Sequence, residues 1–268
     1  MVEPLKELNR ICQKPRYREA GNWMVRNILR DAALPVTWLL LHTSVTANQV
    51  TLISLIIGLI GICFFALPAS GAFLFGAFLL QLWYYLDHVD GQIARYRKTA
   101  SLTGRFFDFM THHLIHGLVF FFLALFVYQS TGAFLFVLWG FFASIAMMMF
   151  NLINDTKAKT YLEKIMMEKK VNINNRTEKA DTGKEAHRAS SLRQTFSWLH
   201  KVCEIHVLMN ILTAAALLEC FVFRGFQSRT WLFLFYGAAV PFIAIVKTSY
   251  LIVSSKIDED FKSRFYIE

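Results

Sequence analysis

Long apolar segments alternate along the chain with polar, mostly basic segments. An α-helix needs about twenty predominantly apolar residues to cross the hydrocarbon core of a bilayer. Six segments approach that length: Thr51–Leu67, Ala72–Leu86, Leu114–Tyr128, Ala133–Ile153, His206–Phe223 and Trp231–Val253. The second and third segments reach it only if their polar flanks, residues 87–94 and 104–113, are also helical. This pattern predicts an all-α integral membrane protein with six transmembrane helices.

A different pattern precedes the first span. Residues 22–42 interleave tryptophan, isoleucine and leucine with arginine and aspartate, which is typical of an amphipathic helix lying in the membrane interface. We expect this interfacial helix to be continuous or to break before Pro35. The first span then begins near Thr46 and Asn48, and either side chain can cap the free N–H groups of the helix.

The composition agrees with a membrane protein. Hydrophobic residues make up 55% of the chain and charged residues 18%, against about half and a quarter in an average soluble domain. The net charge of +9 comes from basic residues before the first span, in residues 95–105 and in residues 157–201, whereas the intervening loops 68–71 and 129–132 carry no charge. The positive-inside rule then places both termini in the cytoplasm. Because topology already explains the basic residues, we expect no nucleic-acid partner.

Two further observations restrict the location and the chemistry. The cysteines form no CxxC pair, which argues against a disulfide framework and a zinc knuckle; they are Cys12, Cys63, Cys203 and Cys220. The first thirty residues are polar and basic, so we expect no secretory signal peptide. A bacterial cytoplasmic (inner) membrane is the predicted location.

These patterns divide the chain into consecutive regions. They are a cytoplasmic N-terminus with the interfacial helix (1–45), four transmembrane helices (46–156), a cytoplasmic polar insert (157–201), two further transmembrane helices (202–255) and a cytoplasmic C-terminal tail (256–268). The most polar part of the second region, residues 87–112, joins the second and third spans at their cytoplasmic ends.

Three carboxylates in that part need an explanation. A carboxylate costs about 2.5–3.5 kcal/mol at the bilayer centre and less near the interface. Asp87 and Asp90 are three residues apart and share a helix face, and Asp108 on the next helix can face them. Such a cluster suits divalent cations, which prefer oxygen ligands. The alternative is that the carboxylates are paired with neighbouring arginines, namely Arg95, Arg97 and Arg105.

Small residues beside the carboxylates favour a ligand site. Gly91 and Ala94 follow Asp90 on one helix, and Gly104 stands opposite on the next. Glycine inside a helix costs roughly 1 kcal/mol relative to alanine, but it opens a surface that a ligand can approach closely. Arg95 can form paired hydrogen bonds with a phosphate. Carboxylates, small residues and an arginine together indicate a diphosphate site with divalent metal.

The stretch Asp87–His112 reads D-x2-D-G-x2-A-R-x8-G-x3-D-x3-H. It resembles the signature of the CDP-alcohol phosphotransferase family at every fixed position but the last, where the family has aspartate. The segment Thr46–Thr51, TANQVT, also resembles the family's P-N-x-x-T opening of the first span, with Ala47 in place of proline. The likeness extends over residues 22–255 and includes the six-span architecture with a preceding interfacial helix.

The resemblance implies a reaction and roles for the matching residues. Family members use an alcohol to attack the β-phosphorus of a CDP-linked donor, release CMP and leave a phosphodiester. By matching position, one or two divalent metals, Mg²⁺ or Mn²⁺, would be held by Asp87, Asp90 and Asp108. The cytidine diphosphate would be contacted by Gly91, Ala94, Arg95 and Gly104, and bordered by Asn48 and Thr51. The resemblance also implies a homodimer.

His112 departs from the family signature. The fourth aspartate of the family would be a metal ligand, the general base or both. Histidine has an unperturbed pKa near 6.5, which suits proton abstraction at neutral pH, but it is a poorer ligand for magnesium than for manganese or zinc. Our hypothesis is that His112 is the catalytic base. The alternative is that the substitution marks a catalytically inactive member with a lipid-binding or assembly role.

The acceptor pocket is predicted from polar residues in the later spans. Ionisable and amide groups in a membrane face the interior of the helix bundle more often than lipid, and here the candidates are Asn154, Asn210 and Lys247. The leading interpretation is a phospholipid-synthesising transferase that takes CDP-diacylglycerol from the bilayer and a small polar alcohol from the cytoplasm. A soluble CDP-amino alcohol as donor is the nearest alternative. A transporter that uses the aspartates as a midplane site is the alternative from another class.

Overall fold

The structure is a computed structural model that describes residues 2–13, 18, 22–167, 171–173, 200–223 and 225–267. Its helices are α1 Leu5–Cys12, α2 Arg30–Ala32, α3 Leu34–Leu41, α4 Ala47–Cys63, α5 Ser70–Tyr96, α6 Leu102–Thr131, α7 Leu135–Met167, α8 Ile205–Leu217, α9 Ser228–Val253 and α10 Lys256–Arg264. Two short strands, β1 Val171–Ile173 and β2 Phe265–Ile267, pair antiparallel. The π-helical turns Val25–Leu29 and Leu218–Val222 precede α2 and follow α8, and a 3₁₀ turn, Phe64–Ala66, follows α4.

The helical membrane architecture predicted from the sequence is confirmed. Within the described residues, five helical segments are long and apolar enough to cross a membrane: Ala47–Ala66, Leu102–Thr131, Leu135–Met167, Ile205–Val222 and Ser228–Val253. Helix α5 is 27 residues long and packs against α4, but it is not one of these five. The polar flanks 87–94 and 104–113 are helical, as the two short apolar segments required. The count of six spans stays a prediction.

Local sequence signals explain the helix boundaries around the predicted interface segment. The chain is helical on both sides of Ala33, and Pro35 lies in the first turn of α3, where proline is tolerated. Thr46, one of the two predicted caps, forms a reciprocal capping box with Gln49 at the start of α4. Their backbone N–H groups are thereby satisfied by side chains, at 2.8 and 3.3 Å.

Glycines bring α4 and α5 into backbone contact. A Cβ atom placed on Gly76 would lie 2.5 Å from the carbonyl oxygen of Gly61 and 2.9 Å from Cβ of Phe64. The two helices therefore cross more closely than side chains would allow. The main core surrounds this crossing, with fully buried aromatic residues from α5, α6, α9 and the 3₁₀ turn. Its largest members include Trp83, Phe65, Phe73, Phe120 and Phe233.

A buried ion pair connects helices at the end of the bundle away from residues 87–112. Arg229, at the start of α9, is 1% exposed and pairs with Glu219 at 2.8 Å. It also donates to the carbonyl oxygens of Leu67 and Pro68 in the loop before α5. The Ser228 hydroxyl donates to the other oxygen of Glu219 at 2.6 Å. The pair thus joins the loop after α4 to the ends of α8 and α9.

The predicted C-terminal tail, residues 256–268, contains α10 and β2 rather than only irregular chain. Lys157 of α7 forms an ion pair with Asp260 of α10, and Lys256 lies 3.5 Å from the same carboxylate. Partial burial alone would raise the pKa of Asp260, but the two lysines hold it below its usual value. Helix α7 extends the fourth predicted span into the start of the polar insert, and residues 174–199 of that insert lie outside the described part of the chain.

Candidate active site

A short loop brings the two halves of the motif together. Helix α5 ends at Tyr96 and α6 begins at Leu102. Lys98 in the loop has a φ of 55°, which reverses the chain tightly. Ser101 caps α6 by accepting a hydrogen bond from the Gly104 N–H at 3.0 Å. The last turns of α5 and the first turns of α6 therefore lie side by side at one end of the bundle.

The closest polar cluster consists of Asp87, Asp108 and His112. Nε2 of His112 lies 2.9 Å from Oδ1 of Asp87 and 3.3 Å from Oδ1 of Asp108. One ligand atom from each residue lies within 4.8 Å of the other two. Oδ1 of Asp108 is buried and accepts no hydrogen bond of good geometry. Two carboxylates and an imidazole with an unsatisfied oxygen among them fit a divalent metal.

Asp90 has a different set of partners. It is 8% exposed, and its Oδ2 accepts a hydrogen bond of 2.6 Å from the Thr51 hydroxyl. Thr51 is itself 4% exposed and belongs to α4. The third predicted metal ligand is therefore held to the first long helix, one turn away from Asp87. It does not belong to the three-residue cluster, although both aspartates border the same cavity.

That cavity has a volume of about 410 Å³. It is bordered by all three predicted metal ligands and by all six predicted substrate-binding residues: Asp87, Asp90, Asp108, Gly91, Ala94, Arg95, Gly104, Asn48 and Thr51. His112 does not border the cavity. It contacts Asp87 and Asp108, which do border it. The His112 ring lies 5.0 Å from the Trp83 ring. The structure thus brings the motif into one pocket, with His112 beyond the two carboxylates.

The small motif residues make room for polar side chains. A Cβ atom on Gly91 would lie 3.1 Å from a terminal nitrogen of Arg95. A Cβ atom on Gly104 would lie 3.2 Å from Oδ1 of Asn48. Both distances are shorter than ordinary van der Waals contact. The glycines therefore allow a guanidinium and an amide to lie directly against the helix backbones.

Two of the three nearby arginines have backbone partners. Arg95 donates through Nε to the Cys12 carbonyl oxygen. Arg97 donates to the carbonyl oxygens of Val45 and Thr43, the latter at 2.7 Å, and so holds the loop before α4. Arg105 borders the cavity. The alternative prediction paired the carboxylates with these arginines. Among the described residues, the ion pairs of Asp87 are with two histidines, His88 at 3.8 Å and His112 at 2.9 Å.

Several residues that border the cavity were not predicted as site residues from the sequence, and three of them lie close together. Gln13, Arg30 and Gln92 border the cavity. Gln92 Nε2 donates to the Arg30 carbonyl oxygen at 2.7 Å, and its Oε1 accepts from Thr37 at 2.6 Å. Gln92 lies inside the motif at a position with no fixed type, so its location there was the only available signal. Gln13 and Arg30 are distant in sequence and carry no such signal.

Among the predicted acceptor residues whose side chains are described, neither Asn210 nor Lys247 borders this cavity. Asn210 accepts a hydrogen bond from Gln81 at 3.2 Å. Lys247 lies 3.0 Å from Nε2 of His200 and 4.7 Å from the centre of the Phe150 ring. The side chain of Asn154 lies outside the described part of the structure. The acceptor role of these three residues therefore stays a prediction.

Comparison with known families agrees with the geometry of the site. The family model for CDP-alcohol phosphatidyltransferase matches residues 44–182, which is just over half of the 268 residues. The match includes the entire motif and the α4 residues that face it. No curated protein sequence matches the chain. The chain belongs to the CDP-alcohol phosphatidyltransferase family, whose members are membrane enzymes that transfer substituted phosphate groups.

Proposed function

We propose that this protein transfers the phosphatidyl group of CDP-diacylglycerol to a small polar alcohol and releases CMP, with its active site facing the cytoplasm. The observation that carries the proposal is the cavity of about 410 Å³, because its wall combines Asp87, Asp90 and Asp108 with Arg95 and the three small motif residues. A nucleoside diphosphate needs cationic groups beside its phosphates and close approach of the protein backbone. Arg95 and a metal held by the carboxylates would supply the first, and the small residues allow the second.

The carboxylates are proposed to hold one or two divalent metals, Mg²⁺ or Mn²⁺. Asp87 and Asp108 are close enough to share an ion, and His112 lies beside both carboxylates. The ion, when bound, supplies positive charge that offsets the charge of the diphosphate oxygens. Histidine in place of the family's fourth aspartate removes one hard oxygen ligand, so this site is expected to depend less strictly on Mg²⁺, and to accept Mn²⁺ more readily, than a site of four aspartates.

The proposed reaction is a single displacement at the β-phosphorus. The acceptor hydroxyl oxygen forms a bond to this phosphorus, and the bond from phosphorus to the bridging oxygen breaks, so that CMP leaves with that oxygen. The hydroxyl proton passes to Nε2 of His112. Support for this role comes from the position of His112, which contacts Asp87 and Asp108 but lies outside the wall of the nucleotide cavity. The acceptor hydroxyl is therefore proposed to approach the carboxylates from the side of His112.

An apolar surface beside the cavity favours a lipid donor over a soluble one. Leu102 borders the cavity and is 83% exposed. Phe106 follows one turn later on α6 and is also exposed. In a helix that crosses a bilayer, such side chains face acyl chains. A donor whose headgroup occupies the cavity can leave its acyl chains on this face of α6.

CMP release by the purified protein in lipid tests the proposal. CDP-diacylglycerol, a pool of alcohols and either Mg²⁺ or Mn²⁺ are expected to give metal-dependent release. Asp90→Asn should abolish this release. A soluble CDP-amino alcohol with diacylglycerol is the comparison donor, and preference for it would contradict the lipid-donor assignment. Absence of release with every metal and donor would favour the inactive-member interpretation.

His112 has its own test within that assay. A general base contributes about 10²–10⁴-fold to the rate, so we expect His112→Ala to lower kcat by a factor in that range. His112→Asp restores the family residue and should recover activity with a stronger preference for Mg²⁺. His113→Ala is the matched control, because His113 is adjacent on α6 and pairs with Asp155 at 3.0 Å instead. Unchanged kcat in His112→Ala would remove the base role.

A further inference from the structure

Helix α1 lies against the end of α5 that carries the motif, although no pattern in the sequence predicts this contact. Leu8 and Cys12 of α1 are fully buried. They belong to a satellite core with Val89 and Ile93, which alternate along α5 with the motif residues. The buried face of α1 is thus attached to the same turns of α5 that present the aspartates and Arg95.

Polar contacts connect α1 to the motif as well. Nε of Arg95 donates to the carbonyl oxygen of Cys12, the last residue of α1. The Tyr96 hydroxyl donates to the carboxylate of Glu3 just before the helix. The residue after the helix, Gln13, borders the cavity and donates to the Arg30 carbonyl oxygen at 3.3 Å. One helix end therefore contacts a motif arginine and supplies a side chain to the pocket.

The contact at Nε has a geometric consequence for Arg95. A guanidinium is planar, and its donors have a fixed arrangement. Once Nε is bound to a backbone carbonyl, the plane of the group is set, and the terminal nitrogens keep one orientation. One of these nitrogens lies 3.1 Å from where a Cβ of Gly91 would be. Arg95 is thereby held flat against the motif helix, inside the wall of the cavity.

We propose that the C-terminal end of α1 completes the donor pocket through Gln13 and that the last carbonyl group of α1 positions Arg95 to bind the diphosphate. This inference rests on the proposed function, because it assigns α1 a part in binding the same donor. Helix α1 then acts through Arg95 as a positioning element and touches no reacting atom. The consequence is that loss of α1 docking weakens donor binding more than it slows the chemical step.

A pair of identical substitutions on α1 tests this in the full chain. Leu8→Glu places a carboxylate in the buried face, whereas Leu5→Glu changes an exposed leucine of the same helix. We expect Leu8→Glu to raise KM for CDP-diacylglycerol about tenfold, with kcat and the KM of the acceptor nearly unchanged. Leu5→Glu should behave like the unsubstituted protein. A fall in kcat at constant donor KM would overturn the proposal.

A double substitution asks whether α1 acts through Arg95. Residues that act as one unit have non-additive effects. If the Cys12 carbonyl serves to orient Arg95, then Leu8→Glu adds almost nothing to the donor KM of an Arg95→Ala protein. If the fold-changes in donor KM of the two single variants multiply in the double variant, α1 influences donor binding by another route, and the positioning role is contradicted.

Alkylation of Cys12 measures docking without any need for catalysis. Burial raises the pKa of the Cys12 thiol to about 11, so the docked helix should react slowly with a maleimide. We expect Leu8→Glu to speed labelling at least about tenfold, and CDP with Mn²⁺ to slow it in the unsubstituted protein but not in Arg95→Ala. Equal labelling of the unsubstituted and Leu8→Glu proteins would contradict the docking itself. Faster labelling at an unchanged donor KM would show that α1 is docked but is not part of the pocket.

The labelling experiment also separates the two proposals. If the unsubstituted protein releases no CMP from any donor, the proposed function fails. Protection of Cys12 by CDP would then still support the proposal that the end of α1 completes a nucleotide pocket. Absence of that protection in a protein that does release CMP would overturn only the inference about α1.

Discussion

The hydrogen bond between Thr51 and Asp90 connects the first long helix to the motif. Its length is 2.6 Å, and both side chains are buried. A hydrogen bond to a charged group contributes about 1.5–3 kcal/mol, which corresponds to roughly tenfold or more in an equilibrium constant. The charged form of Asp90, on which the proposed metal site depends, therefore needs the Thr51 hydroxyl.

Removal of the Thr51 hydroxyl is expected to weaken the metal site. Thr51→Val keeps the shape of the side chain and removes the donor, so we expect kcat/KM to fall about tenfold or more and the metal concentration for half-maximal activity to rise. Metal titration of CMP release measures both quantities. Thr51→Ser keeps the hydroxyl and should retain most of the activity. Equal behaviour of the valine and serine variants would show that this hydrogen bond does not support the site.

At the scale of elements, the crossing of α4 and α5 positions Thr51 relative to Asp90. The helices contact each other through Gly61 and Gly76 at their far ends, and the motif residues meet at their near ends. Interiors of proteins are close-packed, so a side chain added at the crossing has to move the helices apart. A change at the crossing is thus expected to affect the distant site.

Two glycines of α5 allow a matched experiment. Gly76→Ala would place a Cβ 2.5 Å from the Gly61 carbonyl oxygen, whereas Gly71→Ala meets no atom within 4 Å. Overpacking typically costs about 1–3 kcal/mol, so Gly76→Ala should lower the midpoint of thermal unfolding in detergent and reduce CMP release. Gly71→Ala should leave both unchanged or slightly raise the midpoint, since alanine favours helix. Tryptophan fluorescence follows the unfolding, and identical midpoints for the two variants would contradict the close crossing.

At the scale of the whole molecule, α1 and α10 both lie at the end of the helix bundle that carries the motif. Helix α4 runs from Thr51 beside the motif to the loop that contacts Arg229. Helix α9 starts at that loop and leads to α10, which pairs with α7 through Lys157 and Asp260. Basic residues are concentrated at the same end, which the positive-inside rule assigns to the cytoplasm.

Single cysteines test this orientation. Lys262 is an exposed residue of α10, and Gln129 is an exposed residue near the end of α6 that lies away from the motif. Each is replaced by cysteine in a separate variant. With the native cysteines replaced, an impermeant maleimide added to sealed inside-out vesicles should label the cysteine at position 262 and not the one at 129. Intact spheroplasts should give the reverse pattern. Labelling of both positions from one side would contradict the predicted topology.

Much of this architecture is predictable from contiguous sequence, because the bilayer imposes a simple requirement. A spanning helix must satisfy its own backbone hydrogen bonds and present about twenty apolar residues to lipid. The apolar segments show this directly, and so do the helical flanks 87–94 and 104–113. The fixed spacing of the motif likewise placed Asp87, Asp90 and Asp108 on two neighbouring helices, and all three border the cavity; their role as metal ligands stays a prediction.

Only the tertiary structure determines how separate segments complete the site. The partner of Asp90 lies 39 residues away and that of Arg95 lies 83 residues away. Such contacts depend on helix crossings and on the docking of α1, for which no local periodicity or spacing provides information. The sequence by itself determined the helices and the chemical groups of the motif, since both follow from short-range pattern. The tertiary structure decided which carboxylates contact His112, which helix holds Asp90 and where α1 docks, because these depend on packing between distant segments.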